Sequence, residues 1–172
     1  MTVLTNSNKT DQRDGRQDFA KEFRLALACA RWPLRTRDRT EILEWANQSL
    51  DWLWFKRIVE RNQIVPLVYH NLRDVLSDGC YTEILGSLRE AALGHIGHSM
   101  AQAAELLRIT DSVRRGGFEA IELKGVSLSA LAYGNFGMRN PGDIDLLVLP
   151  EQVFDVERVL ISLGYTRLEP RA

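Results

Sequence analysis

Gly116-Gly117 constrains the fold most, because the hydrophobic period of the chain changes across it. Before these glycines, apolar residues recur at spacings of three and four, the mark of amphipathic helices. After them come short apolar runs typical of strands, each followed by a helical pattern. The chain is expected to divide into a polar lead-in over residues 1–17, a helical region over 18–115, and a strand–helix–strand–helix unit over 116–172. The fold class is therefore α+β.

From Asp18, residues Phe19, Phe23, Ala26, Leu27 and Ala30 mark one apolar helix face, and Pro33 stops the run. Three more helices are expected over about 39–48, 51–61 and 64–77. Asp51 would cap the second, and Pro66 is harmless in the first turn of the third. Trp45, Trp52 and Trp54 lie among Leu53, Phe55 and Ile58, which points to helix packing rather than a platform for stacked bases. A long helix follows from Thr82, its expected cap, to Arg114. His95 and His98 stand three apart on it, but no third ligand has usable spacing, so no metal site is expected there. Next come a strand in "FEAIELKG", a helix in "VSLSALAYG" closed by Gly134, a strand in "DIDLLVL", and a helix from Pro150 that ends at Gly164.

With 22 basic and 23 acidic residues the net charge is -1, which gives no support for a general nucleic-acid surface. No apolar run approaches the roughly 20 residues of a membrane-spanning helix, and no signal-peptide pattern follows Met1. A cytoplasmic protein without a membrane partner is expected. Cys29 and Cys80 lack CxxC spacing and read as reduced, mostly buried thiols.

Asp143 and Asp145 stand out within the apolar "DIDLLVL". Residues i and i+2 of a strand share a face, so these carboxylates project side by side while Ile144 and Leu146 turn to the core. Such a pair is tolerated when a divalent cation lies between the acids, or when one stays protonated. Hard oxygen ligands suit Mg²⁺ or Mn²⁺, which take further ligands from substrate phosphates. Lys124-Gly125-Val126-Ser127 stands at a strand-to-helix junction, where backbone N–H groups favour an anion. Arg139 adds a guanidinium fork suited to phosphate oxygens.

The stretch "ELKGVSLSALAYGNFGMRNPGDIDLLVLPEQVFDVERVLISLGY" resembles the largely uncharacterised bacterial nucleotidyltransferases of the polymerase-β-like superfamily. Leu123, Lys124 and Gly125, Tyr133 and Gly134, Arg139, Asp143 to Val148, and Gly164 and Tyr165 carry the resemblance. "LDWLWFKRIVERNQIVPLVYHNL" is also similar to the helical front of such proteins, so the likeness covers about residues 40 to 165. It implies a partial core with a short mixed sheet flanked by helices. It also implies that Asp143 and Asp145 hold catalytic Mg²⁺ (or Mn²⁺), and that Gly125 and Ser127 cradle a nucleoside triphosphate. Lys124 and Arg139 would bind phosphate, or Arg139 would position the strand; Val126 stands where many relatives carry a small residue. The implied reaction transfers a nucleoside monophosphate to an acceptor hydroxyl.

The superfamily also uses a third carboxylate on a later strand, and this chain runs only to "TRLEPRA" after Tyr165. Asp155 and Glu157, on the intervening helix, read as surface residues. The chain thus looks like the front half of such an enzyme, weakly active alone. One rival reading is a truncated or degenerate interaction module, whose sheet is completed by self-association or a partner chain. The other is a nucleotide-sugar-dependent glycosyltransferase, disfavoured by the helical character of the preceding residues.

Overall fold

A computed structural model describes residues 15–76, 79–139 and 142–168, excepting the side chains of 15–20. Most of the expected lead-in therefore lies outside the described residues. Five helices come first: α1 (Gly15–Cys29), α2 (Thr36–Ala46), α3 (Trp52–Arg61), α4 (Val65–Val75) and α5 (Thr82–Arg115). Then follow β1 (Ala120–Glu122), α6 (Val126–Tyr133), β2 (Leu146–Val148) and α7 (Val153–Ser162).

Local signals account for most boundaries. Asp51 caps α3, its carboxylate accepting the Trp54 N–H at 2.9 Å. Pro66 sits in the first turn of α4. Gly117 and Gly164 take positive φ just beyond α5 and α7, and Gly134 does so at the end of α6. Two expectations shift. α2 begins at Thr36 rather than near 39, because Asp38 reaches back to accept the Arg35 N–H at 2.9 Å. Thr82 does not cap α5; it is the first helical residue, and its hydroxyl donates to the Gly79 carbonyl at 2.8 Å.

The first core gathers Leu25, Ala26 and Cys29 of α1, Ile42 of α2, Phe55 and Val59 of α3, Val68 and Leu72 of α4, and Leu88 of α5. Each large aliphatic or aromatic side chain fully buried there contributes about 1.5–3 kcal/mol. Trp45 and Trp52 pack on its margin, and Trp52 meets Phe55 edge-on at 5.5 Å. Only part of the expected α1 face is inside: Ala26 is buried, whereas Phe23 and Leu27 stay exposed and Leu25, Ala28 and Cys29 are buried instead. The small Ala26, Ala28 and Cys29 side chains let α1 approach its neighbours closely. Buried Glu22 shares that side, held by accepting the Asp51 N–H at 2.8 Å. Asn71, also buried, donates to the Cys29 and Arg31 carbonyls at 2.8 and 2.9 Å, satisfying the end of α1.

Cys29 is buried and Cys80 exposed, and burial pushes the Cys29 thiol up. Native protein should therefore react with a disulfide-exchange reagent at Cys80 alone, and Cys29 should follow only on unfolding. Two fast thiols in the native state would contradict this packing.

Helix α5 spans 34 residues, about 50 Å, and serves both halves. Its first turns complete the core above, while Ile109 and Val113 join Val156 of α7 in a second cluster. Ala120, Ile144, Leu146 and Val148 pack on that cluster. The expected short sheet is, among the described residues, a two-stranded antiparallel ribbon with Ala120 opposite Val148 and Glu122 opposite Leu146. Its other face is open: Ile121 and Leu147, directly paired, are 65% and 53% exposed. Among the described residues no helix is long and apolar enough to cross a membrane.

Candidate functional site

Antiparallel pairing is what assembles the site. Because β1 and β2 run in opposite directions, the residues just after β1 and just before β2 fall at one end of the ribbon. Parallel strands would have put them at opposite ends. The ladder extends one step past the strands, with the Leu123 N–H donating to the Asp145 carbonyl at 3.1 Å. Lys124 thereby meets Asp143 and Asp145, which precede β2 rather than lie within it.

The Lys124 ammonium sits between the two acids, 3.3 Å from Asp143 Oδ1 and 2.7 Å from Asp145 Oδ2. Both carboxylates thus face one point in space, while Ile144 and Leu146 pack inward. The acids differ in exposure: the Asp143 side chain is 67% exposed and that of Asp145 37%. Asp145 Oδ2 is shielded from solvent, and its close partner is the Lys124 ammonium at 2.7 Å. Two carboxylates that converge on one cation, one of them through a shielded oxygen, are a donor set suited to a hard divalent cation. Among the described residues no cluster of three or more His, Cys, Asp or Glu side chains could hold a metal. The third carboxylate of the resemblance is thus left unassigned among the described residues.

Gly125 turns the chain from β1 into α6 with φ +78°, a conformation open to glycine at little cost. A Cβ there would lie 2.4 Å from Glu122 Oε1, so a larger residue would also push the end of the Glu122 side chain aside. The other oxygen of Glu122 accepts the Ser127 N–H at 3.0 Å. The N–H expected to meet a phosphate is therefore taken by the chain's own carboxylate. Sequence reasoning missed Glu122, although an acid placed just before a helix start is itself a signal.

Arg139 follows a turn, Phe136–Met138, pinned to α5. Gly137 packs so closely there that a Cβ would meet Ile96 Cγ1 at 3.0 Å, and the buried Ser99 hydroxyl donates to the Arg139 carbonyl at 3.1 Å. Arg139 is not paired with either acid; both belong to Lys124. Asp155 and Glu157 pair with Arg158 and Arg167.

Tyr165 tethers the end of α7. Its hydroxyl donates to Glu105 of α5, and Arg108 lies over its ring at 6.0 Å. Hydrogen bonds from Arg108, then from Tyr165, lower the Glu105 carboxyl from 4.5 to about 2. A depressed carboxylate contributes stability that is present above its ordinary value and lost as pH falls towards the folded one. The Tyr165 ring should therefore keep its native environment at pH 5 and lose it between about pH 4.5 and 2. Tyrosine fluorescence with Glu105→Gln as reference checks this, and an identical acid profile in the variant would contradict it.

Residues 48–172, well over half the chain, match the family described as uncharacterised nucleotidyltransferase. The chain belongs to that family. No curated protein and no solved structure matches it significantly.

Proposed function

We propose that the protein is a metal-dependent nucleotidyltransferase that moves a nucleoside monophosphate from a nucleoside triphosphate to an acceptor hydroxyl, releasing pyrophosphate. One observation carries the metal dependence: two carboxylates converge on a single cationic nitrogen, one of them through an oxygen shielded from solvent. Asp143 and Asp145 would hold Mg²⁺ or Mn²⁺, which supplies charge neutralisation and Lewis-acid polarisation at the transferred phosphate. Lys124 and Arg139 bind phosphate oxygens, and the N–H groups at the start of α6 orient the triphosphate tail. Gly125 allows the backbone to approach the phosphates.

The test is pyrophosphate release from each of the four common nucleoside triphosphates with Mg²⁺ or Mn²⁺. Metal-dependent release that disappears in Asp143→Asn/Asp145→Asn is expected; release unchanged in that variant would refute the proposal.

The open apolar face formed by Ile121, Leu123, Leu147 and Leu149 favours a second reading, that of a non-catalytic interaction module. On that reading a partner chain or a second copy completes the sheet. Its mark would be association that survives loss of both acids and is broken by Ile121→Lys.

A further inference from the structure

We infer that Glu122 and Lys124 form a paired gate, closing the site to a free polyphosphate or a bare cation and admitting the two together. The inference deepens the nucleotide-binding reading above and rests on it.

The two side chains flank Leu123 and carry opposite charges into opposite halves of the site. Glu122 fills the anion half. One of its oxygens takes the Ser127 N–H at 3.0 Å, and the other rests 2.4 Å from where a Cβ at Gly125 would stand. Lys124 fills the cation half, bridging Asp143 and Asp145 at 3.3 and 2.7 Å. The site is thus self-liganded: a carboxylate stands in for phosphate, and an ammonium for the metal ion.

This arrangement discriminates. A metal-free polyphosphate meets the Glu122 charge at the turn, and finds Lys124 already engaged by two carboxylates. A bare divalent cation meets the Lys124 ammonium between its ligands. A metal–polyphosphate complex exchanges like for like: its cation takes the two aspartates and frees Lys124 for phosphate, while its phosphate takes the Ser127 N–H and frees Glu122. Cation and polyphosphate should therefore strengthen each other's binding, by equal factors in both directions.

The experiment uses the full 172-residue chain, inorganic tripolyphosphate with and without Mg²⁺ by calorimetry, and Mn²⁺ alone by electron paramagnetic resonance. Glu122→Gln keeps the shape and an acceptor oxygen, Glu122→Ala removes both, and Lys124→Met removes the ammonium; circular dichroism verifies folding. The wild type should bind tripolyphosphate at least about tenfold tighter with Mg²⁺ than without. Both Glu122 variants should tighten metal-free binding by about tenfold, and Lys124→Met should tighten Mn²⁺ alone by a similar factor. Suppose the variants change neither affinity while the wild type binds Mg²⁺–tripolyphosphate in an Asp145-dependent way. The gate is then overturned and the nucleotide reading stands. Absence of any Asp145-dependent binding overturns both.

Discussion

Asp145→Asn should abolish nucleotidyl transfer, with a larger loss than Asp143→Asn. The side chains are isosteric, so the change removes a charge and one ligating oxygen and little else. Asp145 is the less exposed acid, and its shielded Oδ2 makes the shorter of the two contacts with Lys124. Disturbing groups that merely support metal ligands costs about 10–100-fold, so loss of the shielded ligand itself should exceed about 100-fold. Stability should hardly move, because the Lys124 pair lies near the surface, where such pairs contribute about 0–1 kcal/mol. Initial rates of pyrophosphate release at saturating Mg²⁺, with a thermal melt of each variant, measure both effects. A variant retaining half the wild-type rate would remove Asp145 from the site.

The second large effect concerns the helical scaffold. Phe55→Ala should destabilise the protein by about 3–5 kcal/mol, the usual cost of deleting a buried aromatic ring. Phe55 is fully buried in the first core and meets Trp52 edge-on. In a chain of this size the melting temperature should fall by roughly 10 °C or more. Leu53, two residues away and 64% exposed, is the control: its alanine variant should stay within about 0.5 kcal/mol of the wild type. Equal shifts for the two variants in a circular-dichroism melt would mean that α3 packs through another face.

These expectations depend on features that the sequence discloses unevenly. Caps and stops were legible because they act within one turn: Asp51 before α3, Gly134 after α6 and Gly164 after α7 follow from backbone chemistry. The shared side of Asp143 and Asp145 follows from the two-residue period of extended chain. What was hidden acts at long range. The buried side of α1 contains Glu22, whose partner lies 29 residues away at Asp51, so a purely apolar reading selected Phe23 and Leu27 instead. Strand direction was also hidden, since a local apolar pattern marks a strand without naming its partner. Yet the antiparallel register is what brings Lys124 to the acids across twenty residues of chain. In the sequence Glu122 looks like one more strand position, and its contact with Ser127 emerges only once Gly125 folds the chain back.

The most direct test of the central claim is a calorimetric titration of nucleoside triphosphate into the protein, with and without Mg²⁺, for the wild type and Asp143→Asn/Asp145→Asn. Binding that requires Mg²⁺ and vanishes in the double variant is the predicted result. Binding of equal strength in the double variant would contradict it, and would leave the two aspartates without a role in holding the nucleotide.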